Sequence, residues 1–113
     1  MSAITTHVLD TSVGKPAAGV PVLLEQETFA GWQKVGHGVT DADGRLRDLL
    51  PEGYSLAPGC YQITFDTGIY FEAQEREAFY NSVMVRFTVR DLGEHYHVPL
   101  LLSPFGYSTY RGS

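Results

Sequence analysis

A single cysteine, Cys60, stands in a chain of 113 residues, so no internal disulfide can form. In an apolar strand it reads as a small buried hydrophobe, and a reducing interior is its simplest home. Long apolar runs are missing as well: none approaches the roughly 20 residues that a membrane-spanning helix needs, so no membrane partner is expected. Basic residues are few, with 8 Lys and Arg against 13 Asp and Glu, and the net charge of -5 argues against a nucleic-acid footprint. The opening Met1-Ser2-Ala3-Ile4-Thr5-Thr6 carries neither the basic region nor the apolar stretch of a secretory signal. A cytoplasmic protein is the resulting expectation. Repeats, linkers and low-complexity segments are absent too, and residues 1–113 are read as one domain with a single modest core.

What the chain does have is alternation. Ile4 to Asp10 places Thr5, His7 and Leu9 on one side and Ile4, Thr6 and Val8 on the other. Gly14, Pro16 and Gly19 make Ser12 to Gly19 a turn region, followed by a second strand from Val20 to Glu27. Trp32 to Thr40 reads as a third strand weakened by Gly36 and Gly38, Asp41 to Gly44 as a turn, and Arg45 to Leu50 as a short fourth strand. Pro51 to Gly59 is a loop. Cys60 to Asp66 is the clearest strand, with Tyr61, Ile63 and Phe65 on one face, and Thr67-Gly68 breaks it. Good helix formers from Glu72 to Phe79 predict the one short helix. Val83 to Arg90 alternates with Val83, Val85, Phe87 and Val89 inward, and Asp91 to Glu94 turns the chain. About eight short strands and one helix predict an all-β, antiparallel sandwich.

The last segment is unusual for a terminus. His95 to Ser103 alternates, Pro104 and Gly106 mark a turn, and Tyr107 to Tyr110 suits a strand. A hairpin centred on Pro104 would set His97 opposite Arg111 and His95 opposite Ser113, all on one face. A slip of one residue reverses one strand's faces, and the alternation is compatible with either register.

Four blocks of sequence carry a family resemblance. They are His7-Val8-Leu9-Asp10 followed by Gly14-Lys15-Pro16-Ala17, then Thr40-Asp41-Ala42-Asp43-Gly44-Arg45, then His97-Val98-Pro99-Leu100-Leu101-Leu102-Ser103, and the final Tyr110-Arg111-Gly112-Ser113. Together they resemble the transthyretin-related 5-hydroxyisourate hydrolases, enzymes of urate breakdown in purine catabolism. The terminal tetrapeptide separates those hydrolases from thyroid-hormone-binding transthyretins, which lack it. The resemblance implies the transthyretin sandwich, with the first, fourth, seventh and eighth strands in one sheet. It implies hydrolysis of the small molecule 5-hydroxyisourate to 2-oxo-4-hydroxy-4-carboxy-5-ureidoimidazoline by water attack on a ring amide, without a cofactor, in a homotetramer that is a dimer of dimers. His97 or His7 would be the base, Arg45 the electrostatic clamp, and Ser113 with a terminal carboxylate would orient water or relay a proton. Tyr110 and Arg111 join Arg45 as substrate-binding candidates, and which arginine touches substrate stays open.

Blander and rival readings compete for the same residues. A lone strand histidine is more often packed or at the surface than catalytic, and His37 and His95 are assigned that role. Three imidazoles, those of His7, His95 and His97, suit zinc, but no carboxylate or thiolate of ligand spacing joins them, so no metal is expected. Asp41-Ala42-Asp43-Gly44 fails as a calcium loop because Leu46 stands where glycine is needed. Asp66-Thr67-Gly68 is the triplet of a dimeric aspartic protease, yet it follows an ordinary strand and is the sort of sequence that ends one. A non-enzymatic sandwich that carries an aromatic ligand is the third alternative, opposed by the Tyr-Arg-Gly-Ser ending and the two histidines His7 and His97.

Overall fold

Alternating burial along the chain yields nine strands and one helix among the residues that the computed structural model describes, 3–113. In order they are β1 (Ile4–Asp10), β2 (Lys15–Pro16), β3 (Pro21–Thr28), β4 (Gly31–Val39), β5 (Arg45–Leu46), β6 (Gly59–Phe65), α1 (Thr67–Glu72), β7 (Val83–Val89), β8 (Tyr96–Ser103) and β9 (Gly106–Thr109). A four-stranded sheet runs β4-β3-β6-β7, and a five-stranded sheet runs β2-β1-β8-β9 with β5 also on β1. The period of two sends Ile4, Val8, Leu24, Tyr61, Ile63, Phe65, Val83, Leu100 and Leu102 into the space between them, where each is fully buried. The expected sandwich is present. Its pairings are antiparallel with one exception, β1 with β8, which is parallel and makes the second sheet mixed.

The helix lies earlier than propensity suggests. It begins at Thr67, where the sequence reading placed only a strand break, and ends where the expected Glu72 to Phe79 helix would start. Asp66 caps it by accepting a hydrogen bond from the Ile69 amide at 3.3 Å, and Tyr70 and Phe71 are buried beneath it. The chain then leaves through a Schellman-type pair, Glu75 N–H to Glu72 C=O at 2.9 Å and Arg76 N–H to Phe71 C=O at 3.0 Å, with Glu75 at φ 55°. Tertiary anchors override helix propensity beyond that point. Arg76 Nη1 donates to Asp10 at 2.9 Å, and the Phe79 amide donates to the Pro104 carbonyl at 2.8 Å.

Three smaller expectations also change. Of the fourth strand only Arg45–Leu46 pairs, because Leu49 and Leu50 leave the sheet to plug the core. The Leu49 carbonyl passes so close to β4 that a Cβ at Gly36 would lie 1.9 Å from it, which explains a glycine in that strand. Cys60 is half-buried rather than in the core, since β6 turns Tyr61 inward and Cys60 outward. In the final hairpin Leu102 pairs with Tyr107 and Ser103 with Gly106, a two-residue Pro104-Phe105 loop instead of one centred on Pro104. His97 therefore faces Gly112, not Arg111.

Asp10 ties the helix to the end of β1. Its buried carboxylate accepts from the Tyr70 hydroxyl at 2.8 Å, from Arg76 and from the Ser12 hydroxyl and amide. Burial alone would raise its pKa, but the hydrogen bonds from Ser12, Arg76 and Tyr70 and the Arg76 charge outweigh it, and the group sits below its ordinary value. A depressed folded-state pKa stabilises the fold above the unfolded value of about 3.9, and that stabilisation is lost as pH falls through the folded value. Asp10→Asn should cost about 2–3 kcal/mol at pH 7. Urea denaturation should also show wild type losing more stability than the variant between about pH 5 and pH 3. Equal losses would mean that Asp10 does not carry this linkage.

Candidate active site

Two pairings bring distant residues onto the outer face of the five-stranded sheet. On one side of β1 the register sets His7 opposite Arg45 of β5. On the other it sets Thr5 level with His97 and His7 level with Pro99 of β8. Since Ile4, Thr6 and Val8 point into the core, Thr5 and His7 point out.

Arg45 is placed by its turn. The Asp41 carboxylate accepts from the amides of Asp43 at 2.9 Å and Arg45 at 3.0 Å, an Asx-type turn. The Arg45 amide is the main reason the Asp41 pKa is lowered, ahead of the opposing effect of burial and the help of Asp43, Arg47 and the Arg45 charge. Gly44, at φ 74°, accepts a hydrogen bond from the Val8 amide on its carbonyl at 2.7 Å, and a Cβ there would meet the Val8 carbonyl at 2.4 Å. Glycine is required twice over, once for the backbone angle and once for the close approach. The same turn sets His7, whose Nε2–H donates to the Asp43 carbonyl at 3.0 Å.

His97 is half-buried and held at both edges of its ring. Nδ1 lies 2.8 Å from the Thr5 hydroxyl, while Gly112 packs on the far edge so closely that a Cβ would sit 2.6 Å from Cδ2. The Gly112 amide also donates to the His97 carbonyl at 2.8 Å. Burial first, then the charges of Arg45, His7 and His95, hold the His97 imidazole below its usual pKa, with Thr5 working in the opposite direction. It is neutral at pH 7 and able to accept a proton.

The remaining candidates divide. Ser113 is exposed and directly follows Gly112, which packs on Cδ2 and Cγ of the His97 ring. Tyr110 is exposed on the tail between the Leu100–Thr109 pair and the His97–Gly112 bridge. Arg111 is not brought to the cluster in a single chain: it stacks 4.7 Å over the Tyr96 ring and pairs with Glu94 at 3.0 Å, which draws it to the opposite side of β8 from His97. Two residues that sequence reasoning set aside or did not weigh join instead. His95, read as a surface or structural histidine, stacks on His97 with ring centroids 6.4 Å apart, and the Thr5 hydroxyl lies between the two rings. The His-x-His spacing on a strand was the available signal for His95, whereas Thr5 became visible only through pairing. Among the described residues no three His, Cys, Asp or Glu side chains converge to hold a metal ion. Asp66 of the protease triplet is engaged as a helix cap.

Two sheets, a parallel strand pair and a basic cluster on the outer face with a glycine-seated tail define a transthyretin-type sandwich equipped with acid–base groups. The chain belongs to the HIUase/Transthyretin family, whose sequence model matches residues 4–112. It is 50% identical over 110 residues to the 5-hydroxyisourate hydrolase of Salmonella dublin, covering 97% of this chain and 80% of that one. Among solved structures, the Klebsiella pneumoniae 5-hydroxyisourate hydrolase superposes with a TM-score of 0.84 at 36% identity, over 97% of this chain and 92% of the other. Transthyretin from Sparus aurata superposes with a TM-score of 0.91 at 34% identity, over 99% and 97%. Backbone likeness therefore does not separate the hydrolase from the transthyretin, and the side chains of the outer face must do so.

Gly112→Ala tests the seating of the tail. The residue-112 amide, bonded to the His97 carbonyl in wild type, should lose its hydrogen-exchange protection and the His97 ring resonances should shift, with Tm close to wild type. Retained protection with an unmoved ring would contradict the contact.

Proposed function

We propose that this protein hydrolyses 5-hydroxyisourate, opening the ring to 2-oxo-4-hydroxy-4-carboxy-5-ureidoimidazoline. The observation that carries the reading is the contact of Gly112 with His97, which seats a Tyr-Arg-Gly-Ser ending against a neutral imidazole flanked by Arg45 and His7. A thyroid-hormone carrier has no use for a base beside a guanidinium. Ring-amide hydrolysis needs both.

In this reading His97 takes the proton of the attacking water, a contribution of typically 10²–10⁴-fold for a positioned general base. Its depressed pKa keeps it unprotonated, and the Arg45 charge that helps depress it also stabilises the oxyanion formed on the attacked carbonyl. His7, with Nε2–H engaged by Asp43, offers Nδ1 as an acceptor to a ring N–H and serves orientation more than base chemistry. Ser113 positions the water, and Tyr110 lies on the approach. As the ring C–N bond breaks, the proton held by His97 passes to the leaving nitrogen. No cofactor enters the scheme.

Assembly follows from exposure. The outer face that bears the site is open in a single chain, and β4, β7 and β9 are unprotected sheet edges. A homotetramer, two dimers packed face to face, would cover those edges and turn the open face into a channel. Arg111, turned away within its own chain, would serve a neighbouring copy or the subunit contact. No helix among the described residues is long and apolar enough to cross a membrane, and a cytoplasmic setting is consistent with the lone, unpaired Cys60.

The test is to generate 5-hydroxyisourate in situ with urate oxidase and follow its ultraviolet decay. Wild type should accelerate the decay, His97→Ala should lower kcat/KM by about 10²–10⁴-fold with Tm and assembly unchanged, and deletion of Ser113 should act in the same direction. No acceleration by the wild type, together with saturable binding of a thyroid-hormone-like aromatic, would favour the carrier.

A further inference from the structure

Thr5 is buried, yet it belongs to the outward-facing set of β1. Its hydroxyl lies 2.8 Å from His97 Nδ1 and 3.1 Å from His95 Nε2. A hydroxyl carries one proton, so it can donate to one ring nitrogen only. Because a buried donor seeks an acceptor, that proton goes to one imidazole and the other imidazole must direct its own N–H at the oxygen. The two rings are thereby coupled. Either His97 bears its proton on Nδ1 and leaves Nε2 bare, with His95 accepting at Nε2, or His95 donates and the His97 proton moves to Nε2.

We propose that Thr5, with His95 as its outer acceptor, is a positioning residue that holds His97 in the Nδ1–H tautomer and so keeps Nε2 free to act as the base. The inference rests on the hydrolase reading and deepens it, since it identifies what prepares the base. Geometry favours Nε2 as the working atom: Nδ1 is spent on Thr5, and the ring atoms against which Gly112 packs are Cδ2 and Cγ rather than Nε2. A free imidazole in water prefers the opposite tautomer, with its proton on Nε2. The Thr5 backbone carbonyl, which can only accept, also acts on the His97 ring and favours a proton on the side facing Thr5, and the exposed ring of His95 completes the hydrogen-bond line by taking the Thr5 hydroxyl proton. Three groups face His97 from three directions, His7 of β1, Arg45 of β5 and His95 just ahead of β8. None of them occupies Nδ1. The choice of tautomer is left to Thr5.

Histidine ¹⁵N NMR on the substrate-free protein, near pH 8, reads this directly. Wild type should show neutral His97 with its proton on Nδ1, Thr5→Val should move it largely to Nε2, and Thr5→Ser should restore the wild-type pattern. Exposed His95→Phe, which removes the outer acceptor without disturbing the core, should give a partial shift and decides the matter even if Thr5→Val does not fold. In the decay assay Thr5→Val should lower kcat by about 10-fold or more with KM within about 2-fold, with recovery in Thr5→Ser. Wild-type His97 protonated on Nε2, or a folded Thr5→Val with wild-type tautomer and kcat, overturns the proposal. The NMR arm needs no substrate, so absence of hydrolysis would sink the hydrolase reading while leaving the tautomer result to stand or fall separately.

Discussion

The parallel pairing of β1 with β8 is the constraint on which the site depends. Seven register pairs run from Ile4–Tyr96 to Asp10–Leu102, extended by the Tyr96 amide to Ala3 and the Thr11 amide to Leu102 and reinforced by the buried Thr6 hydroxyl on the Val98 carbonyl at 2.6 Å. Parallel strands cannot be joined by a tight turn, so their connection must travel. Here the whole of the four-stranded sheet lies between them in sequence. Thr5 meets His97 across 92 residues because the intervening chain builds the other half of the sandwich. A one-residue slip in this pair would drive the outward-facing residues of one strand inward, and the buried row Ile4, Val8, Leu100 and Leu102 is what forbids it.

Close backbone approaches at two glycines finish what the pairing begins. Gly44 against the Val8 carbonyl seats the turn that delivers Arg45, and Gly112 against the His97 ring seats the tail. Both contacts are shorter than any Cβ permits, so each glycine acts through the absence of a side chain more than through backbone freedom. Asp10 does the corresponding work at the far end of β1, where a buried carboxylate shared by Tyr70, Arg76 and Ser12 holds the helical segment. Framework and site thus meet on one strand: inward positions of β1 hold the fold, and outward positions hold the chemistry.

The electrostatics of the cluster are simple. Three imidazoles and a guanidinium share a face, and His97 among them is held below its usual pKa by burial first and then by the charges of Arg45, His7 and His95. The same cationic surroundings that discourage a proton on His97 welcome negative charge on a substrate oxygen. Neighbouring carboxylates are otherwise engaged. Asp41 accepts from turn amides and Glu94 pairs with Arg111.

Alternation and composition by themselves determined the β class, most strand positions and the inward row of β6 and β7, because period-two burial is a local property of a chain; the candidates His7, Arg45, His97 and Ser113 came from the family resemblance. The helix was misplaced because the anchors that end it, Asp10 and Pro104, are far away in sequence, and propensity is too weak to compete with them. The hairpin register was off by one because loop length, not the position of a proline, decides which residues pair. Only the tertiary structure decided that β1 runs parallel to β8, that Thr5 sits between two imidazoles, and that Arg111 turns away from them. Each of those facts is a contact between side chains separated by a long stretch of chain or by one step of register, and no local pattern encodes either.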